Sequence, residues 1–86
     1  MIKEDAEMKI YTVDGRCNIC GERIRKKRIE LGLSQTQLAS KIQIAGLPLE
    51  QMAISRIETG KRVVADFERP IIAGVLEITV YDLLGI

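Results

Sequence analysis

Two strings, Leu33-Ser-Gln-Thr-Gln-Leu-Ala39 and Ile54-Ser-Arg-Ile-Glu-Thr-Gly-Lys-Arg62, decide the fold of this chain. In the first, Ser34 stands at the head of a helical pattern with Gln37 three residues on, the spacing of a capping box in which each side chain satisfies the other's backbone N–H. Leu38, Ala39 and Ile42 then share one side, and Ala39 is small enough for a second helix to cross closely. In the second string a period of 3.6 gathers Ile54, Ile57 and Glu58 on one face. Met52, Ser55, Arg56 and Thr59 fall on the opposite face, with Gln51 at its N-terminal edge and Gly60 as the stop. The spacing predicts a helix opened by Ser34 and another over about Leu49 to Thr59. Between them Gln43 to Pro48 form the connection, where Gly46 and Pro48 break the helix, while Ile44 and Leu47 suggest that it first runs on for part of a turn.

Upstream, the pattern predicts a first helix from about Ile19 to Leu31, with Asn18 as its N-cap and Gly32 as its stop. Its inward stripe is Cys20, Ile24, Arg28 and Leu31, so one cation falls among apolar side chains. Glu58 occupies the equivalent place on the third helix. A buried lone charge costs several kcal/mol, roughly, unless it is paired, so Arg28 and Glu58 are expected to form an ion pair. Downstream, Asp66 is the expected cap of a fourth helix with Phe67, Ile71, Ile72, Val75 and Leu76 as its apolar band; Pro70 is tolerated in the first turn. Thr79 with Asp82 caps a brief fifth helix that contributes Val80, Leu83 and Leu84. Residues 1–16 stand apart as an extended or disordered arm. Met8, Ile10 and Thr12 alternate there with other residues ahead of a turn at Asp14-Gly15. The expectation is therefore an all-α, compact five-helix domain over residues 17–86 preceded by a short arm.

Size and composition agree with that class. With 86 residues, the chain makes one small domain with a modest core. It is 47% hydrophobic and only 3% aromatic, without the alternation of a sandwich or barrel. It has no His, no glycine-rich phosphate loop ending in Lys, and no nucleophile beside an evident base, so we expect no enzyme, no catalytic residue and no cofactor. No apolar run is long enough for a bilayer, and Met1 to Glu7 are charged where a signal peptide is apolar, which points to the cytoplasm and away from membranes. The net charge of +1 conceals an asymmetry. Arg23, Arg25, Lys26, Lys27, Arg28, Lys41, Arg56, Lys61 and Arg62 crowd the middle, whereas Asp66, Glu68, Glu77 and Asp82 face a single Arg69 towards the end.

A basic stretch that also carries a helix with polar side chains on one face suits double-stranded DNA. Such a helix fits the major groove, where Gln can pair bidentately with adenine and Arg with guanine, and an apolar side chain can lie on the thymine methyl. Gln51, Met52, Ser55 and Arg56 are the expected base-reading residues. Phosphate contacts fix register: Ser34 and Gln35 stand where the second helix offers free N–H groups, Thr59 lies on the presented face, and Lys61 and Arg62 follow the third helix.

Residues 23–84 resemble the phage-repressor type of helix-turn-helix domain, the Cro and xenobiotic-response-element family. The carriers are the opening Arg23 to Gln35, then Gln37-Leu-Ala39, and Ile54 to Arg62. The resemblance implies a five-helix domain like that of lambda repressor, binding as a homodimer to a two-fold operator, and regulation of transcription, usually repression. It implies a phosphate contact for Gln35, base contacts for Gln51, Met52 and Arg56, and a structural pair for Arg28 and Glu58. The connection Gln43 to Pro48 is several residues longer than the family's usual turn, as in a bacterial subgroup. Glu50 stands where a small capping residue is common, leaving two roles open, a cap or repulsion of a phosphate.

Cys17 and Cys20 form one C-x-x-C without a His or another Cys, so one chain falls short of the four ligands of a structural zinc site and no metal is expected. Three readings remain: a site shared by two chains, a redox dithiol, or Cys20 packed inside the first helix with Cys17 a reduced thiol ahead of it. A different function stands beside DNA binding. An antitoxin-like or adaptor module would use the same fold to hold a protein partner through the fourth and fifth helices or the arm, motivated by the acidic C-terminal part and the apolar band Ile71, Ile72, Val75 and Leu76.

Overall fold

The capping boxes form as the sequence requires. Ser34 Oγ accepts the Gln37 N–H at 3.0 Å while Gln37 Oε1 accepts the Ser34 N–H at 2.8 Å, and Thr79 and Asp82 repeat the exchange. They open two of the five helices in the computed structural model, which describes residues 11–86: α1 Gly21–Glu30, α2 Gln35–Ile44, α3 Gln51–Glu58, α4 Glu68–Val75 and α5 Val80–Leu84. There is no strand among the described residues. Of the arm, the alternation at Met8 and Ile10 lies outside them. Asp14 and Gly15 do make a turn, both with positive φ, closed by two hydrogen bonds of 2.9 Å between Val13 and Arg16.

All five helices end in the same way. At each, one residue with positive φ reverses the chain, and the next N–H bonds back to a carbonyl five residues earlier: Leu33 to Arg28, Leu47 to Ile42, Lys61 to Arg56, Ile78 to Ala73 and Ile86 to Tyr81. The reversing residue is a glycine at the ends of α1, α2, α3 and α5, but Glu77 at the end of α4.

The helices enclose one core. Ile24 and Cys20 from the head of α1 meet Leu38, Ala39 and Ile42 of α2, Ile54 and Ile57 of α3, and Ile72, Ala73, Leu76 and Leu83 beyond. Val64 and the connection residues Leu47 and Leu49 are buried too, which shows why that connection is apolar. Full burial of side chains of this size contributes about 1.5–3 kcal/mol each.

Some boundaries differ from the expectation. α1 starts at Gly21, two residues later than expected, although Asn18 does accept the Gly21 N–H on its side-chain Oδ1 at 2.7 Å. α3 starts at Gln51, and Glu50 makes no capping hydrogen bond with its side chain. Asp66 does not cap α4. The cap position is taken by Phe67, which makes no capping bond with its side chain, and Glu68, the first helical residue, accepts the Ala65 N–H on its carboxylate at 3.0 Å. Phe67, expected inside, is 65% exposed, since the later start of α4 turns it outwards. Of the remainder of that apolar band, Ile72 and Leu76 are buried and Ile71 and Val75 are partly buried against the core.

Candidate nucleic-acid interface

α1 and α3 meet across a bidentate ion pair. Arg28 of α1 donates from Nε and Nη2 to the Glu58 carboxylate at 2.6 and 3.0 Å, and from Nη1 to the Leu33 carbonyl at 2.8 Å. The Glu58 side chain is 2% exposed and that of Arg28 11%. The carboxylate raises the Arg28 pKa, chiefly through these hydrogen bonds and against the opposing effect of burial. The pair thus satisfies the two charges that the helical periods place among apolar neighbours, and its guanidinium also ties down the turn into α2.

From Glu58 a chain of hydrogen bonds runs outwards. Gln35 Nε2 donates to Glu58 Oε1 at 3.0 Å, and Gln51 Nε2 donates to Gln35 Oε1 at 2.7 Å. The direction of this chain follows from chemistry. An ionised carboxylate only accepts, so Gln35 must turn its NH2 group to Glu58 and its oxygen to Gln51. Gln51 must then spend one N–H on Gln35, which leaves its Oε1 and its second N–H free. That is one acceptor beside one donor, the set that meets the N6 and N7 edge of adenine.

Gln51, Met52 and Arg56 are exposed on the outer side of α3 and Ser55 is partly buried, while Ile54, Ile57 and Glu58 face the core. The four expected base-reading residues therefore share one helix, and three of them stand fully open. Thr59 is exposed, but its hydroxyl donates back to the Ser55 carbonyl at 3.0 Å. Ser34 spends both its hydroxyl oxygen and its N–H in the capping box, leaving the N–H groups of Gln35 and Thr36 as the open donors at the head of α2.

The two cations after α3 differ. Lys61 is exposed and forms no ion pair among the described residues. Arg62 is instead committed within the protein, donating from Nη1 and Nη2 to the two Glu68 oxygens at 3.0 Å each and from Nη1 to the Val63 carbonyl at 2.9 Å. Arg62 lowers the Glu68 pKa, burial opposing it, and Glu68 raises that of Arg62. This second pair escaped the sequence reading, which grouped Glu68 with the acidic tail. Its signal was a glutamate six residues after Arg62 at the head of an apolar helix.

Cys20 is in the core and Cys17 is partly buried ahead of it. Burial pushes the Cys20 thiol pKa up, with Arg69 the main opposing charge, so its thiolate is disfavoured. No group of three or more His, Cys, Asp or Glu side chains among the described residues is placed to hold a metal, and no helix there is long and apolar enough to cross a membrane.

Residues 24–68, just over half of the chain, match the family model described as Helix-turn-helix. That stretch runs from Ile24 of α1 to the first residue of α4 and contains the ion pair, the glutamine chain and the whole outer face of α3. No curated protein matches the chain.

Proposed function

The chain belongs to the phage-repressor type of helix-turn-helix DNA-binding regulators, and on that footing we propose that it is a repressor that lays α3 in the major groove of a two-fold operator as a homodimer. One observation carries the reading: α3 buries Ile54, Ile57 and Glu58 and keeps Gln51, Met52 and Arg56 open along one side. Gln51 reads adenine with the donor and acceptor left free by Gln35, Arg56 reads guanine, Met52 lies on a thymine methyl and Ser55 contacts a neighbouring base edge. Lys61 and the N–H groups at the head of α2 hold the phosphates, with Ser34, Gln35 and Thr59 around them. Arg62 shapes the loop that carries Lys61, and its neutralised guanidinium adds less to phosphate binding than Lys61 does.

Selection of bound duplexes from a random pool tests this. One preferred sequence should emerge, and a reporter promoter that carries it should fall in output when the protein is expressed. Arg56→Ala should flatten the preference at one position, at about 1–3 kcal/mol of lost discrimination. Lys61→Ala should weaken binding to every sequence and lower the slope of log affinity against log salt by about 0.9. A pool that stays random, or an Arg56→Ala protein that loses affinity for specific and random DNA equally, would contradict the reading.

A further inference from the structure

Ahead of the matched stretch, Arg16, Cys17 and Asn18 are bound to the far end of α3. Asn18 Nδ2 donates to the Ile57 carbonyl at 3.0 Å and to the Arg62 carbonyl at 2.8 Å, while its Oδ1 holds the Gly21 N–H. Arg16 Nη2 donates to the Glu58 carbonyl at 2.9 Å, and the Cys17 N–H donates to the Gly60 carbonyl at 2.7 Å. The last carbonyls of a helix have no partner within it, and here a preceding segment supplies the donors. The contact is close enough that neither glycine beside it has room for a side chain. A Cβ on Gly21 would run into the Ile57 carbonyl, and one on Gly60, whose φ is +81°, would stand 2.8 Å from Arg16 Cζ.

Lys61 is the residue between the two outer attachments. The Gly60–Lys61 peptide is fixed at both ends, its carbonyl accepting from Cys17 and its N–H, that of Lys61, donating to Arg56 at 2.8 Å, and the Arg62–Val63 peptide one residue further on is fixed by Asn18. We propose that residues 16–18 are a positioning element of the DNA-reading surface, with Asn18 the residue that sets where Lys61 meets the phosphate backbone. The inference rests on the DNA-binding reading above and extends the reading surface beyond the helix-turn-helix itself. Lys61 carries its charge on a flexible four-carbon stem; backbone fixed at the peptide before it and again one residue beyond it reduces the conformational freedom lost when it binds.

The test compares wild type, Asn18→Ala, Lys61→Ala and the double variant, each full length and folded by circular dichroism, on the selected duplex across a salt series. Asn18→Ala should bind about tenfold more weakly with a salt slope smaller by about 0.9, one phosphate contact. Its base preference should keep the wild-type order, and Lys61→Ala should cost little more in its presence. Without DNA, amide exchange should rise at Gly60 and Lys61 and stay unchanged in α2. If Asn18→Ala does not fold, Asn18→Ser keeps an oxygen for the Gly21 N–H, is too short to reach Ile57 and Arg62, and should give the same pattern. Wild-type affinity and slope in the folded variant, or a Lys61→Ala cost that adds in full, would overturn the inference, because the segment would then serve stability alone. A wild-type protein that binds no duplex would overturn the DNA reading and this inference with it, whatever the amides report.

Discussion

At the residue scale, structure and the proposed recognition are joined in Glu58. Its carboxylate balances Arg28 inside the protein and, through Gln35, fixes which end of the Gln51 amide faces outwards. These two duties can be separated. Arg28→Met alone strands a carboxylate that is 2% exposed and should destabilise the domain by about 3–5 kcal/mol, measured by thermal or denaturant unfolding. Arg28→Met with Glu58→Leu removes both charges and should recover most of that loss, since a buried pair replaced by apolar side chains is often near neutral. The double variant should nevertheless lose its adenine preference at the Gln51 position in duplex selection, because nothing then sets the polarity of the two amides. A double variant with the selected sequence unchanged would show that Gln51 does not take its orientation from this chain of bonds. The ion pair was legible in the sequence because a charge on an apolar stripe demands a partner. The glutamine chain was not, since Gln35 and Gln51 are polar residues near the surface whose partners depend on how two helices cross.

At the element scale, the start of α4 shows where sequence reading gives out. Asp66 has the right type and place for a cap, yet the cap falls one residue later, on Phe67, without a side-chain bond, and Glu68 reaches back from the first helical position to the Ala65 N–H. A cap is a local interaction, whereas the Arg62–Glu68 pair also joins the loop after α3 to α4, and that tertiary gain outweighs the local preference. The helices themselves were legible, because capping boxes and stop glycines are local and the apolar period is regular. The pair makes stability depend on pH in a stated direction. Arg62 holds the folded-state pKa of Glu68 below its unfolded value, so the unfolded chain takes up a proton first as pH falls. The stabilisation is present above the unfolded value of about 4.3 and is lost as pH falls through the folded one. Unfolding curves should show a loss of stability below about pH 4.3 that is smaller in Glu68→Gln, which is less stable at neutral pH and differs less from wild type in acid. Equal acid sensitivity in the two proteins would assign that loss to other carboxylates.

At the scale of the whole molecule, the question is how much sequence one copy can read. α3 has eight residues and a length of roughly 12 Å, so it spans about four base pairs of a duplex that rises 3.4 Å per step. At about 1–3 kcal/mol of discrimination per base pair, four positions give roughly 4–12 kcal/mol, which covers the roughly 4–10 kcal/mol that separates specific from non-specific binding in typical regulators only when all four are read directly. Two copies on two half-sites, the arrangement proposed above, double the number of positions without any larger domain. The geometry then fixes the operator: both copies approach the same side of the duplex only if their half-sites lie about 34 Å apart, centre to centre, or a multiple of it. Wild-type protein should therefore bind a palindromic duplex with half-sites one turn apart far more tightly than a single half-site, with a steep dependence on protein concentration in gel mobility. Adding about five base pairs between the half-sites turns one copy to the opposite side of the duplex and should reduce binding to the level of two separate half-sites. Tight one-to-one binding to a single half-site, unchanged by that insertion, would rule out the dimer.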